Sequence, residues 1–119
     1  MSQDFHAGDF LVFQIESAFG LLRVLDVETS EGETIWHIAA YHEMFLDVET
    51  ADAALKHFDT LSASIQHVAL TNRAFYATQT SKMINAPLND SDLEALEMWR
   101  TSDKREISDR SIRLLLGLR

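Results

Sequence analysis

Three apolar, β-prone segments follow one another within the first 41 residues, and this succession most constrains the fold. Phe10-Leu11-Val12-Phe13-Gln14-Ile15 follows a Gly8-Asp9 turn signal, and Leu21–Val27 and Thr34–Tyr41 come next. Their connections, Ser17–Gly20 and the polar loop Thr29–Glu33, are short and carry glycine. Such links are far too short for a parallel crossover, so the segments are expected to form an antiparallel meander.

Alternation within these strands predicts how the sheet is covered. Leu11, Phe13 and Ile15 share one face and Phe10 and Val12 the other; Trp36, Ile38 and Ala40 stand opposite His37, Ala39 and Tyr41. Both faces therefore carry apolar residues, and a sheet with one wet face would not. Either helices cover the second face or the sheet curls into a small barrel.

Beyond residue 49 the period lengthens. Thr50 is placed to cap a helix over Ala51–Phe58 that buries Ala54, Leu55 and Phe58. Leu61–Leu70 returns to strand character, and residues 72–85 carry no decisive period before Pro87 terminates them. Ser91 and Glu94 match a capping box for a helix through Leu93, Leu96 and Trp99. Ser108 is expected to open a last helix, with Ile107 and Ile112 as a hydrophobic staple, Asp109 in its first turn and Gly117 as its stop. That helix would dock through Ile112, Leu115 and Leu116. With no repeat and no linker, residues 1–119 read as a single α+β domain: a curved antiparallel sheet, open or barrel-like, with C-terminal helices packed on it.

Charge narrows the function classes. The net charge is −9, and residues 1–59 hold twelve acids against Arg23 and Lys56 alone. A phosphate backbone would be repelled by that half, so nucleic acid is not an expected partner, whereas a basic protein would be attracted. No cysteine is present, no basic start precedes an apolar run, and the longest apolar runs are only a few residues. These features predict a cytoplasmic chain with no membrane contact.

Catalytic and ligand motifs are missing: there is no H-E-x-x-H, G-x-S-x-G, G-x-x-x-x-G-K or G-x-G-x-x-G. His37 and His42 fall on opposite faces of a strand, so neither a metal nor another cofactor is expected. His37, Tyr41 and His67 could form an acid–base cluster if their strands are neighbours. Arg23, flanked by Leu21 and Leu25 on its strand face, needs a carboxylate, and Glu16 and Asp9 are nearest in sequence. The acids Asp26, Glu28, Glu31 and Glu33, with Asp47, Glu49 and the adjoining Trp36, form the candidate surface for a basic partner.

Gly8-Asp9-Phe10-Leu11-Val12-Phe13-Gln14-Ile15, then Phe19-Gly20-Leu21-Leu22-Arg23-Val24-Leu25, resembles the opening of the immunity-26 family of bacterial toxin-immunity proteins. Ile84-Asn85-Ala86-Pro87-Leu88 and Met98-Trp99-Arg100 are similar to later segments of that family, although Asn85 replaces an expected glycine and the last helix has no counterpart. The resemblance implies a non-enzymatic protein that neutralises a toxin by binding it. The leading expectation is therefore a protein-binding module of immunity type acting on a basic partner. The alternatives are a small acid–base enzyme using His37, Tyr41 and His67, or a homo-oligomer subunit pairing through Leu114–Leu118.

Overall fold

The computed structural model describes residues 4–117. Its strands are β1 (Asp9–Ile15), β2 (Ala18–Ser30), β3 (Glu33–Phe45), β4 (Ala63–Thr71) and β5 (Thr80–Asn85). They form one antiparallel sheet in the order β4-β3-β2-β1-β5. The meander is as the short connections require. The sheet stays open, with β4 and β5 as its edges, so the barrel alternative is ruled out. β5 lies in the segment whose period was indecisive, because an exposed edge strand with one neighbour has little need of an apolar face.

Both hairpins close on two residues. Ser30 pairs with Glu33, leaving Glu31 and Gly32 at φ 52° and 82°, the paired positive values that match the right-handed strand twist. Register shifts at Gly20/Leu22 and Val24/Asp26 bend the long β2–β3 ribbon. At Gly20 a Cβ would meet Phe13 Cε1 at 2.8 Å, so the Phe13 ring occupies the space a side chain would need.

Helices cover both faces. Leu11, Phe13, Leu22, Val24, Trp36, Ile38 and Ala40 pack with Phe5, with Ala74 and Phe75 of α2 (Asn72–Tyr76) and with Ile112 of α4 (Ile112–Leu115). On the other face Phe10, Val12 and Leu21 pack against Ala51 of α1 (Val48–Ala54) and Leu55 of the 3₁₀ turn Leu55–Thr60. Leu25 and Ala39 on that same face meet Leu96 of α3 (Asp90–Thr101). The two C-terminal helices thus lie on opposite sides of the sheet. Among the described residues no helix is long and apolar enough to cross a membrane.

Three helix starts differ from the sequence expectation, each because a residue further upstream or downstream has the free side-chain oxygen in reach. Asp47, not Thr50, caps α1, with the Thr50 N–H donating to Asp47 Oδ1 at 2.7 Å. Asn89 and Asp92, not Ser91 and Glu94, form the capping box of α3, at 2.8 and 3.0 Å. Ser108 starts no helix: its N–H donates to the Ala69 carbonyl and its carbonyl accepts from Thr71, extending the β4 edge in parallel, while Ser111 caps a single-turn α4. Ile107 is therefore no staple, and Asp109 pairs with Arg73 and Thr71. Asn89→Ala is expected to cost about 1 kcal/mol in urea unfolding, and Ser91→Ala to be nearly neutral; a larger loss at position 91 would reverse the assignment.

Candidate functional site

The polar seam between the sheet and α3 begins at Arg23. Strand alternation points this side chain to the covered face between Leu21 and Leu25, and it is 2% exposed. Its Nη1 donates to Asp92 Oδ2 at 3.2 Å, and Nη2 donates to the carbonyls of Ala86 and Pro87 at 3.0 and 3.1 Å. The guanidinium carbon lies 4.5 Å from the Phe10 ring centroid and 5.2 Å from that of Phe58. Neither Glu16 nor Asp9 is its partner. Asp9 is fully buried and accepts instead from the His6 N–H and the Asn85 amide, with Lys82 beside it. Burial raises the Asp9 pKa, but those hydrogen bonds and the Lys82 charge outweigh it and hold the carboxyl below its ordinary range.

Further along the seam Glu28, His37 and His67 form a chain. His37 Nε2 lies 2.9 Å from Glu28 Oε1, and its Nδ1 lies 2.9 Å from His67 Nε2. With the carboxylate accepting from Nε2–H, the Nδ1 lone pair accepts from His67 Nε2–H. The two-residue turn dictates this meeting: it sets Asp26 opposite His37, and β4 brings His67 alongside. Trp99 of α3 packs its ring on both imidazoles, 4.9 and 5.6 Å between centroids, and donates Nε1–H to the Glu106 carbonyl. Burial first, then the neighbouring His37 and Arg100, lower the His67 pKa to about 4.

Such a chain could pass a proton between a carboxylate and an outer imidazole, but it does not join Tyr41. Tyr41 faces Phe10 and lines a cleft of about 270 Å³ with Leu25, Gln66, Asp92 and Glu94, which neither histidine lines. Burial raises the Tyr41 phenol pKa against the pull of the nearby Arg23 guanidinium. The expected concave site uniting His37, Tyr41 and His67 is therefore not formed.

The sequence-predicted partner surface divides. Asp26, Glu28, Glu31 and Glu33 sit at or near the β2–β3 tip, whereas Asp47 and Glu49 follow the far end of the 13-residue β3. At ~3.3 Å per residue that separation is roughly 40 Å, comparable to the 39 Å long axis of the molecule. At the tip end Asp26 pairs with Arg100, and Glu28 is engaged by His37. Trp36 is no surface anchor: it is 4% exposed and stacks on Phe75 at 4.0 Å, with Nε1–H donating to Asn72. The six acids of the expected surface do not become one patch, because the β2–β3 ribbon carries them to opposite ends.

The far end has a feature the sequence reading missed. At the corner between β3 and α1, Met44, Leu46 and Val48 are 47%, 84% and 40% exposed. Glu43, Asp47, Glu49, Asp52 and Asp59 surround them in sequence, against Lys56 as the lone base of that stretch. Among the described residues none of these five carboxylates makes an ion pair. The Ser62 N–H and hydroxyl bind Glu43, and Thr50 binds Asp47 through both N–H and hydroxyl; these bonds hold both carboxyls below their ordinary range, against burial that raises each, and so keep them ionised. The sequence signal is faint: Leu46 sits where the strand period stops and the helix cap begins, so neither pattern assigns it to a core. The Leu114–Leu118 run behaves otherwise, with Leu114 exposed, Leu115 and Leu116 packed on the core, and Leu118 outside the described residues. Comparison with family models, curated proteins and solved structures gives no match for the chain.

Proposed function

We propose that the chain is a non-enzymatic protein-binding module of immunity type that engages a basic partner, with the β3–α1 corner as its contact surface. The observation that carries this reading is Leu46, 84% exposed between apolar neighbours and unpaired carboxylates. Covering a leucine side chain is worth about 1.5–3 kcal/mol, and scattered single exposures are ordinary while a cluster is not. An apolar centre rimmed by charge of one sign suits a partner with the reverse rim, since rim charge steers encounter and the desolvated centre supplies affinity. Asp47 and Glu49 carry over from the acidic set; the hairpin tip does not, because part of its charge is engaged internally.

The test is a pull-down with the full chain as bait at low and high salt, with the captured proteins ranked by isoelectric point. Basic proteins are expected, retained less at high salt. Leu46→Asp is expected to weaken capture by at least roughly 30-fold, as a central anchor does. A Glu49→Lys/Asp52→Lys double variant should also weaken it, while Glu31→Lys/Glu33→Lys at the tip should leave it unchanged. Capture of acidic proteins, or loss with the tip variant and not with the corner variants, would remove the reading.

A further inference from the structure

Outside the corner, Glu28, His37 and His67 form a hydrogen-bonded chain of titratable groups between the sheet and α3. The apolar part of that contact is small: Leu25 and Ala39 on the sheet, Leu96 on the helix, with Leu88, Leu93 and Trp99 partly buried around them. Polar links hold both ends. Arg23–Asp92 fixes the first turn of α3, and at the last turn Arg100 pairs with Asp26 while Trp99 lies on the two imidazoles.

We propose that this cluster is an acid-operated latch: a proton taken up by His67 releases the C-terminal half of α3 from the sheet. The surroundings of His67 explain why. His37 of β3 is 0% exposed and already commits its Nε2–H to Glu28, leaving one lone pair toward His67. Arg100 of α3 brings a positive charge to the same place and draws on Asp26 and Glu97 for its own balance. Glu106 contributes its carbonyl to Trp99. A cationic His67 thus keeps one acceptor, the His37 lone pair, while it is cut off from water and faces the Arg100 guanidinium, and Glu28 and Asp26 are already engaged. The charge is relieved when Trp99 and Arg100 swing away, because α3 carries the ring and the guanidinium beside His67, whereas β4 is held by its pairing to β3.

The direction follows from linkage. In the closed state His67 binds its proton only near pH 4; departure of α3 removes the Arg100 charge and part of the burial, which moves the value up toward the ordinary 6.5. As pH falls through that window the open state takes up a proton that the closed state does not, so opening increases. Those two values bound the gain in the open population at roughly 20-fold between pH 7 and pH 5, and at roughly 200-fold between pH 7 and well below pH 4. The latch stands whether or not the β3–α1 corner binds a partner.

Native-state hydrogen exchange measures this without requiring the open form to dominate. After correction for intrinsic exchange, amides of residues 96–100 are expected to lose protection by up to roughly 20-fold from pH 7 to pH 5, while those of Leu22, Val24 and Ile38 in the central strands hold theirs. His67→Gln and His67→Phe, the second keeping a ring against Trp99, should each abolish the pH dependence. Parallel loss of protection in α3 and the central strands would mean global unfolding and overturn the latch. So would a pH dependence that survives in either variant.

Discussion

Arg23→Ala is expected to destabilise the fold by about 3–5 kcal/mol, measured as the loss of unfolding free energy in urea. Three acceptors lose the guanidinium at once: the carbonyls of Ala86 and Pro87, and Asp92 Oδ2, which keeps only the Asn89 N–H. The rings of Phe10 and Phe58 lose the cation they pack on, and a cavity opens between Leu21 and Leu25. Truncating one member of a buried pair costs more than the pair contributes, since the remaining charge and the carbonyls stay desolvated. Arg23→Met restores the packing but not the donors and should recover only part of the loss. Asp92→Asn keeps an acceptor for Arg23 Nη1 and should cost less than Arg23→Ala. A loss under about 1 kcal/mol for Arg23→Ala would mean that water replaces the guanidinium, and the seam would then be far more open than its burial implies.

Trp36→Ala is expected to cost a similar ~3–5 kcal/mol, which also decides whether this residue belongs to the core or to a partner. Its ring fills the space between Phe5, Phe75 and Tyr76, and its Nε1–H satisfies Asn72. Trp36→Phe keeps the stacking, loses the hydrogen bond and leaves a smaller void, so it should cost about 1–2 kcal/mol. The folded Trp36→Phe protein should retain capture of basic proteins at the wild-type level. Lost capture with unchanged stability would return Trp36 to the interface.

How far the sequence reading reached is clearest along β3. The alternation Trp36, Ile38, Ala40 against His37, Ala39, Tyr41 assigns each side chain to its face, and the clusters on the two sides follow that assignment. The same alternation puts Arg23 inside and implies helices or closure over the second face. It stops short of Arg23's partner, because Asp92 is 69 residues away and only the docking of α3 brings it near. The Asp26–His37 pairing was within reach of a stricter turn argument: a two-residue loop at Glu31-Gly32 sets that register by counting outward. The helix caps were missed by two or three residues, since Thr50 and Ser91 satisfy the same local pattern as Asp47 and Asn89.

Strand succession, two-sided burial, an interior arginine and the acid-rich front half were settled by residue order, because backbone alternation and side-chain chemistry are local properties. Which charges meet, which stay unpaired and which aliphatic side chain is left in water were decided by strand register and helix docking. Those depend on contacts between residues far apart in the chain, so twelve acids could be counted in the sequence while the division of Asp26, Glu28, Glu31 and Glu33 from Asp47 and Glu49 at the two ends of β3, and the exposure of Leu46 at one of them, came only from the folded chain.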